Sequence, residues 1–220
     1  MRQIGPVTLA LVLVTCGGAL PPAATSATPA SPSATVAAVA TPTPTYAPSA
    51  EGFNSKLLVE KPRNLSTSAT GYAWIVAGAT TEESGVSAVV SERESFTASY
   101  KTPAGQRATD GARFAYATPD IPPLAAGRYT ESLRFVVIQT GGRSAAHMHS
   151  GVEAVLVLEG RVLVRSGLFA PTFFAAGEGF YMLRKIPVQV VNVGNAAART
   201  LVYSITPEGA PFSIELEQSP

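Results

Sequence analysis

The two histidines of the chain, His147 and His149, are separated by one residue, and Glu153 follows four positions later. Residues two apart on a β-strand point to the same face, so the two imidazoles would project side by side. After a short turn at Ser150-Gly151, Glu153 begins the next strand and can face the same interior. Two imidazoles and one carboxylate suit Fe, Mn, Zn, Ni or Cu, and the same set with open positions serves non-haem Fe(II) oxygen chemistry. The spacing therefore predicts a divalent transition-metal site.

Glycines bracket this cluster at fixed distances. The order is Gly141, five residues, His147, one residue, His149, three residues, Glu153, six residues and Gly160. This pattern resembles the first metal-binding motif of the cupin family, with each named position filled. The resemblance implies an all-β fold, a cupin-type jelly-roll β-barrel, in which the two histidines and the glutamate are metal ligands.

A second family motif is only partly present. It has the form Gly-Asp-Gly, then Pro-x-Gly-x-Pro-His-x-x-x-Asn, and its histidine is the fourth ligand. Here Val188 occupies the position of that histidine, and Leu183-Arg184-Lys185 replaces Pro-x-Gly. Gln189 is adjacent, but strand alternation points it away from the side that Val188 faces. The positions that match are Gly177, Gly179, Pro187 and Asn192. We therefore expect three protein ligands, with water completing the coordination.

Short runs rich in Val, Tyr, Phe, Ile and Thr, bounded by Gly, Pro and Asn, predict an all-β sandwich or barrel. The strand pattern agrees with the cupin resemblance over about residues 125–212. Glu159-Gly160 and Gly194-Asn195 each separate two apolar runs and predict β-hairpins. The predicted strands are Tyr72–Val76, Val86–Ser91, Ser95–Tyr100, Arg128–Gln139, Ala154–Leu158, Arg161–Arg165, Pro171–Phe174, Gly179–Leu183, Val188–Asn192 and Thr200–Thr206.

The N-terminal part has a different composition. Residues 1–20 contain an apolar run, VTLALVLV, of about the length of the apolar core (h-region) of a signal sequence, and Leu13-Val14-Thr15-Cys16 resembles a bacterial lipobox. Lipidated Cys16 would anchor an exported protein on the extracytoplasmic face of the membrane. The alternatives are a secreted protein or an uncleaved N-terminal anchor. Residues 21–52, nearly all Pro, Ala, Thr and Ser, predict a disordered linker.

The folded domain is expected over residues 53–220. Residues 53–125 contain no histidine motif. This segment either adds strands to the barrel or is a degenerate first copy of the barrel, and the lack of the motif favours extra N-terminal strands.

Composition excludes some function classes and leaves others open. With 16 Lys and Arg against 15 Asp and Glu, the chain has no basic excess for nucleic acid. Two functions remain. One is a barrel that binds a metal and a small molecule; the other is a metal-dependent enzyme such as a non-haem iron dioxygenase, with Tyr181 and Tyr203 as candidate cavity residues. The resemblance also implies a homodimer paired through sheet edges, although no residue in the chain specifies one.

Overall fold

A computed structural model describes Tyr46 and residues 50–78, 85–91, 94–101 and 112–216. These residues form strands and connecting turns, with no helix among them, and this confirms the all-β prediction. The strands are β1 Glu51–Leu65, β2 Ala69–Gly78, β3 Val86–Ser91, β4 Glu94–Lys101, β5 Ala112–Ala117, β6 Ile121–Leu124, β7 Gly127–Arg143, β8 His147–His149, β9 Val152–Glu159, β10 Arg161–Ser166, β11 Thr172–Ala175, β12 Gly179–Met182, β13 Val188–Asn192, β14 Ala198–Pro207 and β15 Ser213–Glu215.

Ten strands form one nearly closed jelly-roll sheet. Its order is β11-β10-β13-β7-β14-β9-β12, with β1 on β7 and with β8 between β13 and β15. The long strand β7 joins the two halves, since it pairs with β14 along most of its length and with β13 at Arg143. The predicted barrel is therefore present, and its interior lies between these two halves.

The extra N-terminal strands add one strand to the barrel and form a second layer beside it. Strand β1 runs antiparallel to β7, while β2 to β6 form a five-stranded sheet that shares a core with the outside of the barrel. Among the described residues of this segment no second barrel occurs, which agrees with extra strands and not with a degenerate copy.

Strand β9 shows how one sheet serves two cores. Ala154 and Leu156 face the five-stranded sheet, whereas Val155 and Val157 face the barrel interior. This is the period-two alternation of a strand buried on both faces. Each of the larger side chains, Val155, Leu156 and Val157, stabilises the fold by about 1.5–3 kcal/mol on full burial.

The two hairpin predictions are wrong. Strand β9 pairs with β12 and β14, and β10 pairs with β11 and β13, so the Glu159-Gly160 turn carries the chain from one half of the barrel to the other. Gly160 does have the positive φ expected of that turn, +78°. Likewise β13 and β14, on either side of Gly194-Asn195, do not pair with each other.

The predicted signal segment, Cys16 and all of the predicted linker before residue 50 except Tyr46 lie outside the described residues. The Tyr46 hydroxyl lies 3.4 Å from the carbonyl oxygen of Pro187, and β1 begins two residues before the predicted start of the domain. In the part of the chain that the structure describes, no helix is long and apolar enough to cross a membrane.

Candidate functional site

Strand β8 carries both histidines, and a tight turn brings the glutamate next to them. Within β8, His147 is opposite Val188 of β13 and Glu215 of β15. A β-carbon at Gly151 would collide with the backbone carbonyl oxygen of Ile205. Only glycine therefore allows the chain to turn so close to β14 and to start β9 with Glu153 in the barrel.

The imidazole of His149 and the carboxylate of Glu153 meet inside the barrel. The distance from His149 Nε2 to Glu153 Oε2 is 3.1 Å, and the two side chains are only 2% and 7% exposed. The ring of His147 stands edge-on to that of His149, with 4.7 Å between centroids. The structure thus places all three predicted residues in one neighbourhood.

Backbone carbonyls orient both imidazoles in the same way. Nδ1 of His147 lies 2.8 Å from the oxygen of Ala145, and Nδ1 of His149 lies 3.2 Å from the oxygen of Phe212. A carbonyl only accepts hydrogen bonds, so each Nδ1 carries the proton and each Nε2 keeps its lone pair. This is the arrangement by which carbonyls commonly orient metal-binding histidines.

Burial sets the charge of the three groups. It lowers the pKa of His149 to about 4, and together with the neighbouring His149 it lowers the pKa of His147. Burial also raises the pKa of Glu153 to about 7, against the opposing effects of His147 and Arg134. Near neutral pH both imidazoles are therefore uncharged, as ligands must be, and a bound cation would favour the ionised form of Glu153.

The three side chains are of the chemical types that bind a metal ion, but their positions do not form a complete metal site. His149 Nε2 is buried, makes no hydrogen bond and faces Glu153 Oε2 at 3.1 Å, so its lone pair meets a carboxylate oxygen that a shared proton or a metal ion would bridge. Two atoms bound to one metal at about 2.1 Å lie roughly 3 Å apart, close to the His149–Glu153 distance. Nevertheless, no group of three or more His, Cys, Asp or Glu side chains among the described residues is arranged to hold a metal.

The position of the missing fourth ligand faces this site. Val188 is buried in the apolar core of the barrel and is aligned with His147 on the neighbouring strand. Gln189 points to the other face, where its amide accepts from Arg165 and donates to the carbonyl oxygen of Ser144. The register of β13 on β10 has no bulge, so Gln189 does not replace the missing ligand.

A cavity of about 260 Å³ adjoins the cluster, and His147 and Glu153 are on its wall. Arg134 of β7 and Phe212 line the same cavity, and the guanidinium lies 4.5 Å from the centre of the Phe212 ring. Sequence reasoning missed both residues. The signal for Arg134 was a charged side chain inside the apolar run Leu133–Ile138, in phase with the inward-facing Val136.

The two tyrosines considered as cavity residues lie elsewhere. Tyr203 is buried in the core between the barrel and the five-stranded sheet, and Tyr181 packs against that same core. Neither lines the cavity beside His147.

Comparison with known proteins identifies the barrel. Residues 134–204 match the cupin domain family. A search of the curated proteins found no match.

Three solved structures illustrate the likeness. An oxalate oxidase in complex with the substrate analogue glycolate is 26% identical over 39% of this chain and 46% of that chain, with a TM-score of 0.36. The polyketide cyclase RemF from Streptomyces resistomycificus is 19% identical over 40% and 62%, with a TM-score of 0.35. An RmlC-like cupin from Methanocaldococcus jannaschii, with a double-stranded β-helix fold, is 12% identical over 34% and 70%, with a TM-score of 0.33. The match spans less than two thirds of the oxidase and of the cyclase, so neither activity transfers to this chain.

Proposed function

The chain is a cupin superfamily protein whose cupin domain covers residues 134–204, and on that basis we propose that it binds a divalent transition metal and a small molecule inside its barrel. His147, His149 and Glu153 are the proposed ligands. The observation that carries the proposal is the buried Nε2 of His149, which makes no hydrogen bond and faces the Glu153 carboxylate at 3.1 Å. A metal would supply a Lewis acid at the wall of the cavity.

The chain's own residues prepare the site in three ways. The carbonyls of Ala145 and Phe212 hold the two Nδ1 protons and direct the lone pairs away from the backbone. Glu153 supplies a negative charge that a cation stabilises. Apolar walls, including Val136 and Val155, limit the entry of water.

Metal analysis of the purified full-length protein tests this proposal. We expect about one transition-metal ion per chain in the wild type and none in His147→Ala/His149→Ala. Met148→Ala, on the same strand between the two histidines, is the matched control and should keep the metal. Circular dichroism would establish that each variant is folded. A wild type with no more metal than the double variant would leave a metal-free binding barrel.

The enzyme alternative depends on the identity of the metal. The cavity beside Glu153 leaves room for a substrate next to the proposed ligands. If the protein contains iron, oxygen consumption with small phenols and keto compounds tests for dioxygenase activity. No consumption above that of the double histidine variant would leave the binding function.

We also propose that the domain is displayed outside the cytoplasm through lipidated Cys16. The support is the apolar run followed directly by the lipobox-like residues and a Pro-rich linker. Cys16→Ser should move the protein from the membrane fraction to the soluble fraction. Unchanged fractionation would contradict lipid anchoring.

A further inference from the structure

The barrel cavity contains an arginine that forms no salt bridge with a described carboxylate, although Glu153 on the same wall is close enough to sense its charge. Arg134 lines the cavity, and its Nε is buried without a hydrogen-bond partner. Within the described part of the chain, no carboxylate forms an ion pair with Arg134. By contrast, Arg128 on the same strand pairs with Glu208 at 2.7 Å, and Arg143 pairs with Glu51 at 2.8 Å. Placing an arginine in a cavity with a largely apolar wall and no counterion costs free energy, unless an anion binds beside it.

The guanidinium is also held in position. It lies 4.5 Å from the centre of the Phe212 ring, a cation–π contact that favours a fixed plane. Phe212 is itself anchored, because its carbonyl oxygen accepts from His149 and its ring lies 5.0 Å from the His149 ring. A planar, oriented guanidinium offers two parallel N–H groups to a carboxylate.

The two acids on the cavity wall do not serve as its partner. Glu153 lies 3.1 Å from His149 Nε2, and no salt bridge joins it to Arg134. Glu215 is exposed and aligned with His147 on the neighbouring strand. The Arg134 guanidinium is therefore available to an anionic group of a ligand that enters the cavity.

The other side chains of the cavity wall indicate the polarity and size of the ligand. Apolar side chains dominate it, among them Ile138, Phe180 and Val202. A volume of about 260 Å³ equals roughly nine water volumes, at the small end of ligand sites.

We propose that Arg134 is the anion-binding residue of this cavity and that the ligand is a small carboxylate with an apolar body. This inference rests on the proposed function in that the ligand occupies the same barrel, but it does not require the metal.

The test uses the full-length protein, treated with EDTA so that no metal can bind the probe. Benzoate is the carboxylate probe, and benzamide, of nearly the same shape without the charge, is its neutral partner. Isothermal titration calorimetry should show benzoate binding at least about tenfold tighter than benzamide, because charge-assisted hydrogen bonds are the stronger ones. Equal binding of the two probes, or no benzoate binding at millimolar concentration, would overturn the proposal.

Variants then assign the effect to one side chain. Arg134→Met keeps the length and removes the charge, and should weaken benzoate binding at least about tenfold while leaving benzamide unchanged. Arg134→Lys keeps the charge without the planar fork and should fall between the two. Arg128→Met removes an exposed charge from the same strand and should bind benzoate as the wild type does. Wild-type affinity in a folded Arg134→Met would refute the assignment.

The outcome is separable from that of the metal proposal. A protein that contains no metal but prefers benzoate through Arg134 contradicts the metal site and keeps the carboxylate site. A protein that contains metal but binds benzoate and benzamide equally contradicts the carboxylate site and keeps the metal site.

Discussion

Two glutamates, Glu131 and Glu153, are buried on opposite faces of the same layer of strands. Glu131 faces the five-stranded sheet, where its Oε1 accepts from the Tyr203 hydroxyl at 2.7 Å and from the backbone N–H of Tyr100 at 3.4 Å. Its other oxygen, Oε2, accepts no hydrogen bond and lies 4.0 Å from the guanidinium of Arg63. Hydrogen bonds to one oxygen and a cation beside the other thus offset the burial of this carboxylate.

The barrel face treats its polar groups differently. Glu153 contacts an imidazole whose Nε2 has no hydrogen bond, and Arg134 has no counterion among the described residues. Buried polar groups in proteins are normally satisfied, and an unsatisfied one calls for an explanation such as a ligand. The difference teaches that equal burial has two meanings here: the network of Glu131 stabilises the fold, whereas the groups around Glu153 form the proposed ligand site.

The largest expected effect is the loss of stability when the hydrogen-bond network of Glu131 is removed. Glu131→Ala leaves Tyr203 and the Tyr100 N–H unpaired, and should lower the free energy of unfolding by about 3–5 kcal/mol. Urea denaturation of the EDTA-treated protein measures it. Glu153→Gln, the matched change on the other face, should lower it by no more than about 1 kcal/mol at pH 4.5, where Glu153 is largely protonated in the folded state. Equal losses would remove the distinction between the two glutamates.

Placing a fourth metal ligand at position 188 tests the proposed metal site on the barrel face. Val188→His places an imidazole beside His147, and should raise the affinity for Zn²⁺ by about tenfold or more, measured by competition with a chelator. Without metal, the buried imidazole should lower stability by about 1–3 kcal/mol. Val191→His, which points to the other face of β13, is the control. A gain in affinity from Val191→His as large as that from Val188→His would refute the assigned geometry.

The pH dependence of stability distinguishes the contributions of Glu153 and His149. The folded-state pKa of Glu153, about 7, lies above its ordinary value of 4.5, so its contribution to stability is full below pH 4.5 and is lost as the pH rises to about 7. Removing the group should therefore make Glu153→Gln gain stability relative to the wild type over this window, by about 1–3 kcal/mol. Denaturation of EDTA-treated protein at successive pH values measures this gain.

His149 gives the mirror image of that result. Its pKa of about 4 lies below 6.5, so its contribution is present above pH 6.5 and is lost as the pH falls to about 4. His149→Gln should gain stability relative to the wild type as the solution becomes more acidic. Differences that stay flat with pH in both variants would contradict the burial of the pair.

The smallest effect concerns the turn that supports His149. Lys185 has φ +61°, a left-handed conformation, and stands where the family motif has glycine. Its backbone N–H donates to the His149 carbonyl at 2.8 Å. Lys185→Gly should raise the free energy of unfolding by about 0.5–1 kcal/mol without changing metal affinity, since glycine adopts this φ without strain. Lys185→Ala is the control and should show no gain.

Much of this molecule could be predicted from local patterns. Each of the ten predicted strands overlaps a strand of the structure, and the cupin motif led to His147, His149 and Glu153, which lie together in the barrel. The spacing of His147 and His149 indicated β8, but the strands β1, β5, β6 and β15 were not predicted. Strands β6 and β15 are only four and three residues long, β6 contains two prolines, and β1 is largely polar, so the apolar pattern is weak.

By itself, the sequence determined the strand segments, the direction in which Val188 and Gln189 point, and the residue types of the site, because alternation and motif spacing are local properties. Only the tertiary structure decided strand partners: β9 and β10 follow each other in the chain yet lie in different halves of the barrel. It also brought Arg134 and Phe212, 78 positions apart in the chain, to one cavity with Glu153. Contacts of this kind arise from packing between distant segments, and no periodicity within a segment encodes them.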